Sequence, residues 1–470
     1  ALPICEMMEK KIRYDHVDAY VMKARLYPNK EQSDLIDKAI MGVQVFYNCT
    51  LYTLLNNIDC TTEVESKKEE GKFVHFSDWK KLTNKDWKNK LIEEHPIIGF
   101  VPPGALYGNS GAVSKDLKKA IGKNSTIEWV NSQIARKKAI RKDSSLTKDQ
   151  KKEILENIQA PSFYGREKQR KSYSYQESAS KIHETDNRNV LKIDLCRVGT
   201  VKIRGWNQKI RFDEAGTIDF VEYCKQNKKK QITVTISRDT CGDYYICFML
   251  LDVYVPIEVK NGDAVGVDVG IRNLVVLSDG TKYENKRFKK AEKRHKKLIN
   301  RQLARRQGPS NEDFRRKQKE NPELKPSNGY QEAALKNAKL ERKIQRKREN
   351  WNNEVTKDII TNHDAIAIEG LTVKDFTDNK YIAFDIGDAA MYDVLSKLKY
   401  KAEWHKKEIE KIGKYEPSTR RCSYCGYVRK EKIMTDKWRC PHCGTIHDTA
   451  VNSAKNILHY AINKDLEEAI

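Results

Sequence analysis

The sequence predicts a multidomain α+β protein, for three reasons. At 470 residues the chain exceeds the size at which one hydrophobic core stops growing, about 250 to 300 residues. Apolar residues recur at helical spacing near the N-terminus, at every second position between about 190 and 258, and in short unbroken runs after residue 263. Finally, four of the eleven cysteines form two Cys-x-x-Cys pairs. We therefore expect two to four domains.

The N-terminal half predicts a helical region inserted into a sheet. "AYVMKARLYP" (19–28) is a predicted strand that ends at Pro28, and residues 30–56 have the apolar spacing of an amphipathic helix. The polar segment 60–185 favours further helix. Alternation between 190 and 258 predicts a twisted antiparallel sheet or small barrel, which the first strand could join.

The C-terminal half has a different pattern. "AVGVDVG", "NLVVLSDG" and "AIAIEGL" are apolar without alternation, so we expect strands in a sheet that is covered on both faces. Helical segments at 287–306 and 330–362 predict a basic hairpin joined by a loop at 307–329. Another helix is predicted at 388–411.

The charge of the chain indicates a polyanionic partner. Lysine and arginine total 89 against 66 acidic residues, a formal charge of +23, with eleven basic residues in 286–306 and five in 342–348. Nucleic acid is the expected partner, and a generally basic soluble protein is the alternative. A membrane-surface helix would need a strong apolar face, which 286–306 lacks. With no long apolar run and no leader pattern, we expect a soluble cytoplasmic protein.

The four clustered cysteines predict a structural zinc site. Cys422 and Cys425 are separated by fourteen residues from Cys440 and Cys443, and each pair would direct two thiolates at one point. Four thiolates leave no open position for water, so this zinc would not be catalytic. Redox-active pairs are the alternative, and His442 and His447 are expected not to be ligands. The other cysteines are expected to be reduced thiols.

Two acids interrupt the apolar strands and predict a second metal site. Asp268 and Glu369 would each be costly to bury without a cation, and Mg²⁺ held by carboxylates on neighbouring strands would provide one. The alternative for each acid is a strand-end residue that reaches solvent.

Two basic segments are candidate nucleic-acid contacts. The segment 162–176 interleaves aromatic and basic side chains suited to stacking and phosphate contact, and the hairpin presents a basic surface; a solvated surface is the alternative for both. The candidate residues are Arg166, Lys168, Arg170, Lys171 and Tyr173 in the first segment, and Lys289, Lys290, Lys293, Arg294 and Arg346 in the hairpin.

Three segments carry a resemblance to a known family. "VGVDVGIRNLVVLSDG", "AIAIEGLTVKDF" and "STRRCSYCGYV…WRCPHCGTIHDTAVNSAKNIL" resemble the RuvC-type active-site segments and zinc ribbon of the transposon-encoded TnpB family and its relatives, the compact type V CRISPR effector nucleases. The N-terminal strand and helix and "SRDTCGDYYICFML" are also similar. The resemblance implies an RNA-guided DNA endonuclease of a prokaryotic cell, with guide RNA, target double-stranded DNA and Mg²⁺ as partners. It would act beside a short flanking motif, as a monomer or as a homodimer on one guide RNA.

The same resemblance implies a division of the chain into domains. The expected fold is a ribonuclease H-like (RuvC) nuclease domain with a zinc ribbon, preceded by an oligonucleotide-binding β-barrel with a helical recognition insertion. The segments would be 1–29 and 186–260 for the wedge barrel, 30–185 for the helical recognition domain, 261–414 and 447–470 for the nuclease domain, and 415–446 for the ribbon.

Position 450 departs from the family pattern. The last RuvC-type segment of the family reads acid, basic residue, acid, any residue, asparagine, and its second acid is the third metal ligand. Here Asp448 is followed by threonine and by Ala450 at the ligand position. On a helix that begins near 449, Ala450, Ala454 and Ile457 share the sheet-facing side, whereas Asp448 suits the helix N-cap.

The alanine leaves more than one interpretation open. An Asp-to-Ala change made to trap an uncleaved complex would give a catalytically dead endonuclease, whereas a naturally inactive relative would be an RNA-guided DNA-binding repressor. A protein-only transposase is a third possibility, which RNA bound to the purified protein would argue against. If position 450 is the third ligand position, we expect this chain not to cleave DNA, and Ala450→Asp to confer Mg²⁺-dependent cleavage.

Overall fold

The computed structural model describes residues 12–55, 85–106, 116, 127–147, 150–151, 154–155, 158, 161–165, 169–187, 189–204, 210–258, 263–321, 323–370, 383–413, 416–431, 433 and 435–467. The chain forms two compact units, one of residues 18–253 and one mainly of residues 254–470. Within these described ranges, no helix has both the length and the apolar character that crossing a membrane would require.

The first unit combines helices with seven strands. In chain order its elements are β1 (Ile12–Tyr27), α1 (Lys30–Leu55), α2 (Lys85–Glu94), a 3-10 helix (Pro96–Phe100), α3 (Pro103–Leu106), α4 (Ile127–Lys142), β2 (Ser172–Ser178), a 3-10 helix (Ala179–Lys181), β3 (Ile182–Glu184), β4 (Val190–Leu195), β5 (Gly199–Arg204), α5 (Phe220–Gln226), β6 (Gln231–Arg238) and β7 (Tyr244–Glu258).

The strands of this unit form one sheet in the order β2-β6-β7-β1-β5-β4-β3. The predicted alternation is confirmed on β6, where Ile232, Val234 and Ile236 are buried. The first strand of the chain lies between β5 and β7, so it does join strands that follow the helices. The segment 30–185, predicted to be helical, also contains β2 and β3. This difference arises because β2 pairs along its whole length with β6, and a single-sequence pattern does not report such distant pairing.

Helix α1 has the buried face that its apolar spacing predicts. Ile36, Val43 and Phe46 are fully buried on it. At Gly42, on the same helix, the backbone of another segment comes very close: a Cβ there would lie within 2.6 Å of the Ile97 carbonyl oxygen. The 3-10 helix that contains Ile97 therefore packs directly on the backbone of α1.

The second unit is built on a smaller sheet. Its elements are β8 (Val265–Val269), β9 (Asn273–Leu277), β10 (Lys282–Glu284), α6 (Phe288–Ala291), α7 (Lys293–Arg305), α8 (Glu312–Glu320), α9 (Asn328–Asn362), β11 (Ala365–Ile368), α10 (Ala383–Ala389), α11 (Met391–Trp404), β12 (Glu408–Lys411), β13 (Lys437–Arg439), β14 (Ile446–Asp448) and α12 (Thr449–Glu467).

The strand order of the five-stranded sheet is β10-β9-β8-β11-β12. Strands β8, β9 and β10 are antiparallel, whereas β11 runs parallel to both β8 and β12. Strands β13 and β14 pair separately and belong to the cysteine region. Strand β8 thus pairs antiparallel with β9 on one side and parallel with β11 on the other.

Helices cover both faces of this sheet, as the apolar strands predict. On one face Val267 and Ile368 join a core with residues of α9 and α11. On the other face Ala367 packs with Ile457 of α12. Side chains alternate between the two faces of a strand, so Asp268 and Glu369, each one residue beyond a residue of the first face, project toward α12.

Two expectations about this half were wrong in detail. The segment 307–329, predicted as a loop, contains α8, whose first turn is capped by the side chain of Asn311. The helix predicted at 388–411 ends at Trp404, and its last part is strand β12. The chain leaves the helix at Lys406, which has a positive φ of 49°, and then pairs with β11. Pairing with a neighbouring strand here overrides a helical pattern.

Candidate metal centres

The acidic pair lies at the point where β8 and β11 run side by side. Ile368 pairs with Val267 in the parallel register, so the next residue of each strand, Glu369 and Asp268, lie next to one another. Neighbouring strands are about 4.8 Å apart, and paired residues project to the same face. The two acids predicted from separate segments are therefore brought together on the face that α12 covers.

The electrostatics of this pair are those of a cation site. Burial raises the pKa of Asp268 to about 8, with further contributions from the nearby charges of Glu369 and Asp448, against a hydrogen bond from Ser453. Burial also raises the pKa of Glu369, against a hydrogen bond from Ser418. A divalent cation would remove this penalty by favouring both ionised carboxylates. Hard carboxylate oxygens are the donors that Mg²⁺ prefers, so the residues present fit this ion.

Helix α12 places position 450 on the side of the acids. The Ser453 hydroxyl donates to Asp268 Oδ1 at 3.1 Å, and Ala450 lies one turn before Ser453 on the same helical face. Farther along that face, Ala454 and Ile457 are fully buried. A longer side chain at position 450 would thus extend from the helix in the direction of the carboxylates.

Asp448 has a different function at the start of this helix. Its Oδ1 accepts the backbone N–H of Val451 at 3.2 Å, which is the predicted N-cap interaction, and its Oδ2 lies 2.6 Å from Lys282 Nζ. Burial favours its neutral form, but the hydrogen bonds from Lys282 and the helix backbone outweigh burial and lower the pKa of Asp448 overall. Asp448 therefore stays ionised, and its two carboxylate oxygens are engaged by the Val451 N–H and by Lys282.

The four clustered cysteines converge as predicted. The sulfur atoms of Cys422, Cys425, Cys440 and Cys443 all lie within 4.8 Å of one another. Each pair forms the same turn: Gly426 N–H donates to the Cys422 carbonyl and Gly444 N–H to the Cys440 carbonyl, both at 2.9 Å. The two glycines have positive φ values of 76° and 72°. Such a cluster of four thiols fits a closed tetrahedral Zn²⁺ shell.

His447 lies beside the cluster without completing it. Its Nε2 is 3.0 Å from Cys422 Sγ, and its ring packs 4.9 Å from the ring of Trp438, measured between centroids. Because the four sulfur atoms would supply all four ligands of a zinc ion, His447 is placed to hydrogen-bond one of these sulfur atoms and would orient it from outside the ligand shell.

Most of the hairpin candidates are exposed. Lys290, Lys293, Arg294 and Arg346 have exposed side chains on α6, α7 and α9. Lys289 differs, because it is half-buried and its Nζ donates to the Gly387 carbonyl at 3.0 Å. Burial is the main reason why the pKa of Lys289 is lowered. Four of the five candidates can thus meet a phosphate directly.

The segment 162–176 fits its predicted contacts only in part. Arg166 and Lys168 lie outside the described residues. Lys171 is exposed, whereas Arg170 is half-buried and pairs with Asp116 at 2.5 Å. Tyr173 does not fit base stacking: its side chain is fully buried, since alternation on β2 turns it to the core. We therefore remove Tyr173 from the candidate interface.

Sequence reasoning missed the polar side chains that surround the acids. Ser418 and Ser453 each donate to one of the two carboxylates, at 2.7 and 3.1 Å. Asn452 and Asn456 are buried on α12 and bind backbone groups at the base of the ribbon. Asn452, Ser453 and Asn456 have a signal in the sequence, because the helical period places these polar residues on a buried face, whereas Ser418 lies outside any helix and has none.

Two family models match the parts of the chain that contain the acids and the cysteine cluster. Residues 232–380 match the family model OrfB_IS605, described as a probable transposase, and residues 392–457 match the Cas12f1-like TNB domain. These two matches cover the acidic strands, the cysteine cluster and the first half of α12. This confirms the predicted resemblance of the chain to TnpB proteins and compact type V CRISPR effectors.

Curated proteins that are similar to this chain carry corresponding names. A Streptomyces pristinaespiralis protein named RNA-guided DNA endonuclease is 33% identical over 227 residues, which cover 48% of the chain and 52% of that protein. The Escherichia coli protein InsQ, also named RNA-guided DNA endonuclease, is 27% identical over 290 residues, 55% of the chain and 67% of InsQ. The chain thus spans about half the length of the Streptomyces relative.

Solved structures of type V effectors are similar to this chain only at low scores. A Cas12f1 complex with single-guide RNA and target DNA has a TM-score of 0.41 at 12% identity, covering 94% of this chain and 98% of Cas12f1. CasPhi-2 bound to crRNA has a TM-score of 0.36 at 10% identity, covering 96% and 99%.

Proposed function

We propose that this chain is an RNA-guided DNA endonuclease of the RuvC type that is inactivated by alanine at position 450. The observation that carries the proposal is the arrangement of Asp268 and Glu369, side by side on neighbouring strands, under the helix that presents Ala450. Two of the three carboxylates that a two-metal site needs are present, and the third position faces them with a methyl group.

The proposed architecture follows the strand order. An antiparallel β10-β9-β8 set followed by parallel β11 and β12, with helices on both faces, is the arrangement expected of a ribonuclease H-like domain. Segments 261–414 and 447–470 would form this domain around the ribbon at 415–446. The sheet of the first unit would be the wedge barrel, with the recognition helices of segment 30–185 inserted after β1.

The residues of the site have distinct functions in this proposal. Asp268 and Glu369 would hold Mg²⁺, with Ser453 and Ser418 orienting one oxygen of each carboxylate. When bound, a pair of Mg²⁺ ions would activate water and stabilise the leaving oxygen of the scissile phosphate. Without a carboxylate at 450 the ligand set is incomplete, so we expect DNA binding without cleavage.

The remaining partners follow from the charge and the relatives. Guide RNA and target DNA would be bound by the exposed basic residues of the hairpin, with Lys290, Lys293 and Arg346 among them. Sequence would be read by base pairing to the guide, while the protein contacts backbones. The curated relatives named RNA-guided DNA endonucleases support this assignment.

The test compares three proteins purified with the RNA of the native locus. The chain itself, Ala450→Asp and Ala450→Asn are each mixed with a plasmid that matches the bound RNA, with and without Mg²⁺. Only Ala450→Asp is expected to cleave, because asparagine has the same size as aspartate but lacks its charge. Cleavage by the unsubstituted chain would refute the ligand assignment at position 450.

The sequence of the native gene separates the inactivated nuclease from a natural repressor. The native gene encodes aspartate at position 450 if the alanine was introduced, and alanine if the protein is a natural RNA-guided DNA-binding repressor. Purified protein without bound RNA would contradict both and favour a protein-only transposase.

A further inference from the structure

A buried hydrogen bond joins the base of the cysteine ribbon to one of the two acids. Ser418 lies four residues before the first cysteine of the cluster and is only 3% exposed. Its hydroxyl donates to Glu369 Oε1 at 2.7 Å, which is the length of a strong hydrogen bond to a carboxylate. A contact of this kind fixes the position of one carboxylate oxygen. Because the carboxylate group is rigid, the second oxygen is then also restricted in direction.

Ser418 is itself held from two sides. Its backbone N–H donates to the Glu416 carbonyl at 2.8 Å in a tight turn, and its own carbonyl accepts Asn456 Nδ2 at 2.7 Å. Asn456 is fully buried on α12, so the serine backbone is attached to the same helix that faces the acids.

Asn456 connects this serine to the ribbon as well. Its Nδ2 also donates to the Arg421 carbonyl at 2.7 Å, and its Oδ1 accepts Arg421 Nη1 at 3.0 Å. Asn452 donates to the same Arg421 carbonyl at 2.8 Å. Buried amide groups that satisfy several backbone partners specify one arrangement of the chain, because leaving any of them unsatisfied is costly.

The acid that Ser418 contacts needs such support. Glu369 is the first residue after β11, and the hydrogen bonds of the strand join backbone groups, so they do not fix its side chain. A free glutamate side chain has several rotamers and loses their entropy when it binds a metal. The hydroxyl of Ser418 selects one of them in advance.

We propose that Ser418 is a positioning residue that orients the Glu369 carboxylate for a divalent metal, and that Asn456 holds Ser418 in place for this purpose. The inference rests on the proposed metal site. Outer hydrogen-bond partners of metal ligands typically contribute 10- to 100-fold in metal affinity, and Ser418 has the geometry of such a partner.

The test measures metal binding by the chain as it exists, with Mn²⁺ as the probe and electron paramagnetic resonance as the readout. Ser418→Ala is compared with Ser418→Thr, which keeps the hydroxyl, and with Ser423→Ala, a serine of the same ribbon whose backbone N–H is its contact with Asn452. We expect the Kd for Mn²⁺ to rise about 10-fold in Ser418→Ala, to change less than about threefold in Ser418→Thr, and to stay the same in Ser423→Ala.

Asp268→Asn separates a failure of this inference from a failure of the proposed function. If Asp268→Asn leaves Mn²⁺ binding unchanged, the metal site itself is wrong. If Asp268→Asn abolishes binding while Ser418→Ala binds as tightly as Ser423→Ala, only the positioning by Ser418 is refuted.

Two further measurements distinguish positioning from general support of the fold. Zinc content and hydrogen exchange of α12 should be equal in Ser418→Ala and Ser423→Ala; loss of zinc or faster exchange in Ser418→Ala would overturn the proposal, since the serine would then support the ribbon. In an Ala450→Asp background, Ser418→Ala should raise the Mg²⁺ concentration for half-maximal cleavage about 10-fold and leave the rate at saturating Mg²⁺ within about threefold.

Discussion

Helix α12 packs directly against the backbone of Gly266 on β8, and Gly266→Ala tests whether this close approach is needed. A Cβ at this position would lie 2.0 Å from the Ala454 carbonyl oxygen and 2.9 Å from the Leu458 nitrogen. An ordinary carbon–oxygen contact is about 3.4 Å, so α12 would have to move by about 1.4 Å along this contact. Backbone atoms give way less easily than side chains, so we expect about 3 kcal/mol of destabilisation, the upper end for overpacking.

The assay for this change is hydrogen exchange of the backbone amides of α12. A loss of about 3 kcal/mol corresponds to exchange that is about 100-fold faster, at 1.4 kcal/mol for each factor of ten. The control is Gly387→Ala in the same unit, where a Cβ would meet only the flexible tip of Lys289 at 3.6 Å and exchange in α12 should not change. Equal protection of the α12 amides from exchange in the two variants would show that packing against Gly266 does not stabilise the helix.

Two other predictions concern the metal sites. Cys422→Ser removes one of four converging sulfur atoms, so zinc measured by inductively coupled plasma mass spectrometry should fall and peptides from 418–446 should lose exchange protection; zinc at the level of the unsubstituted chain would contradict a four-cysteine site. In magnesium-free buffer, the stability of the second unit should decrease as the pH rises from about 4 to about 8, because Asp268, with a pKa of about 8, keeps in the native state a proton that the unfolded state has already released. Asp268→Asn should remove part of this slope in calorimetric scans, and an unchanged slope would indicate that the carboxyl group is not buried as described.

The sequence predicted those parts of the fold whose signal is local. The buried face of α1 and the alternation of β6 follow from hydrophobic spacing alone, and the N-cap at Asp448 follows from an acidic residue at the start of a helical pattern. The cysteine cluster could also be predicted from the sequence, because the two cysteines of each Cys-x-x-Cys pair lie within four residues of one another. Local patterns of this kind need no knowledge of the partner segments.

The parts that were wrong or missed depend on distant partners. Strand β12 follows a helix without a break in its polar pattern, and only pairing with β11 makes it extended. Tyr173 looks like a stacking residue in a basic segment, yet pairing of β2 with β6 turns it inward. Ser418 could not be recognised at all, because its partner Glu369 is 49 residues away and a serine before a cysteine pair has no pattern of its own.

The position of β1 in the first sheet has a consequence for synthesis of the protein. Tyr27 pairs with Lys202, 175 residues later, and β7 on the other side of β1 follows later still. At about 5 to 20 residues per second, the ribosome needs about 10 to 35 seconds to supply the first of these neighbours. During that interval β1 would be an extended segment with both hydrogen-bonding edges open, which makes the nascent chain a candidate client for chaperones until translation has passed β7.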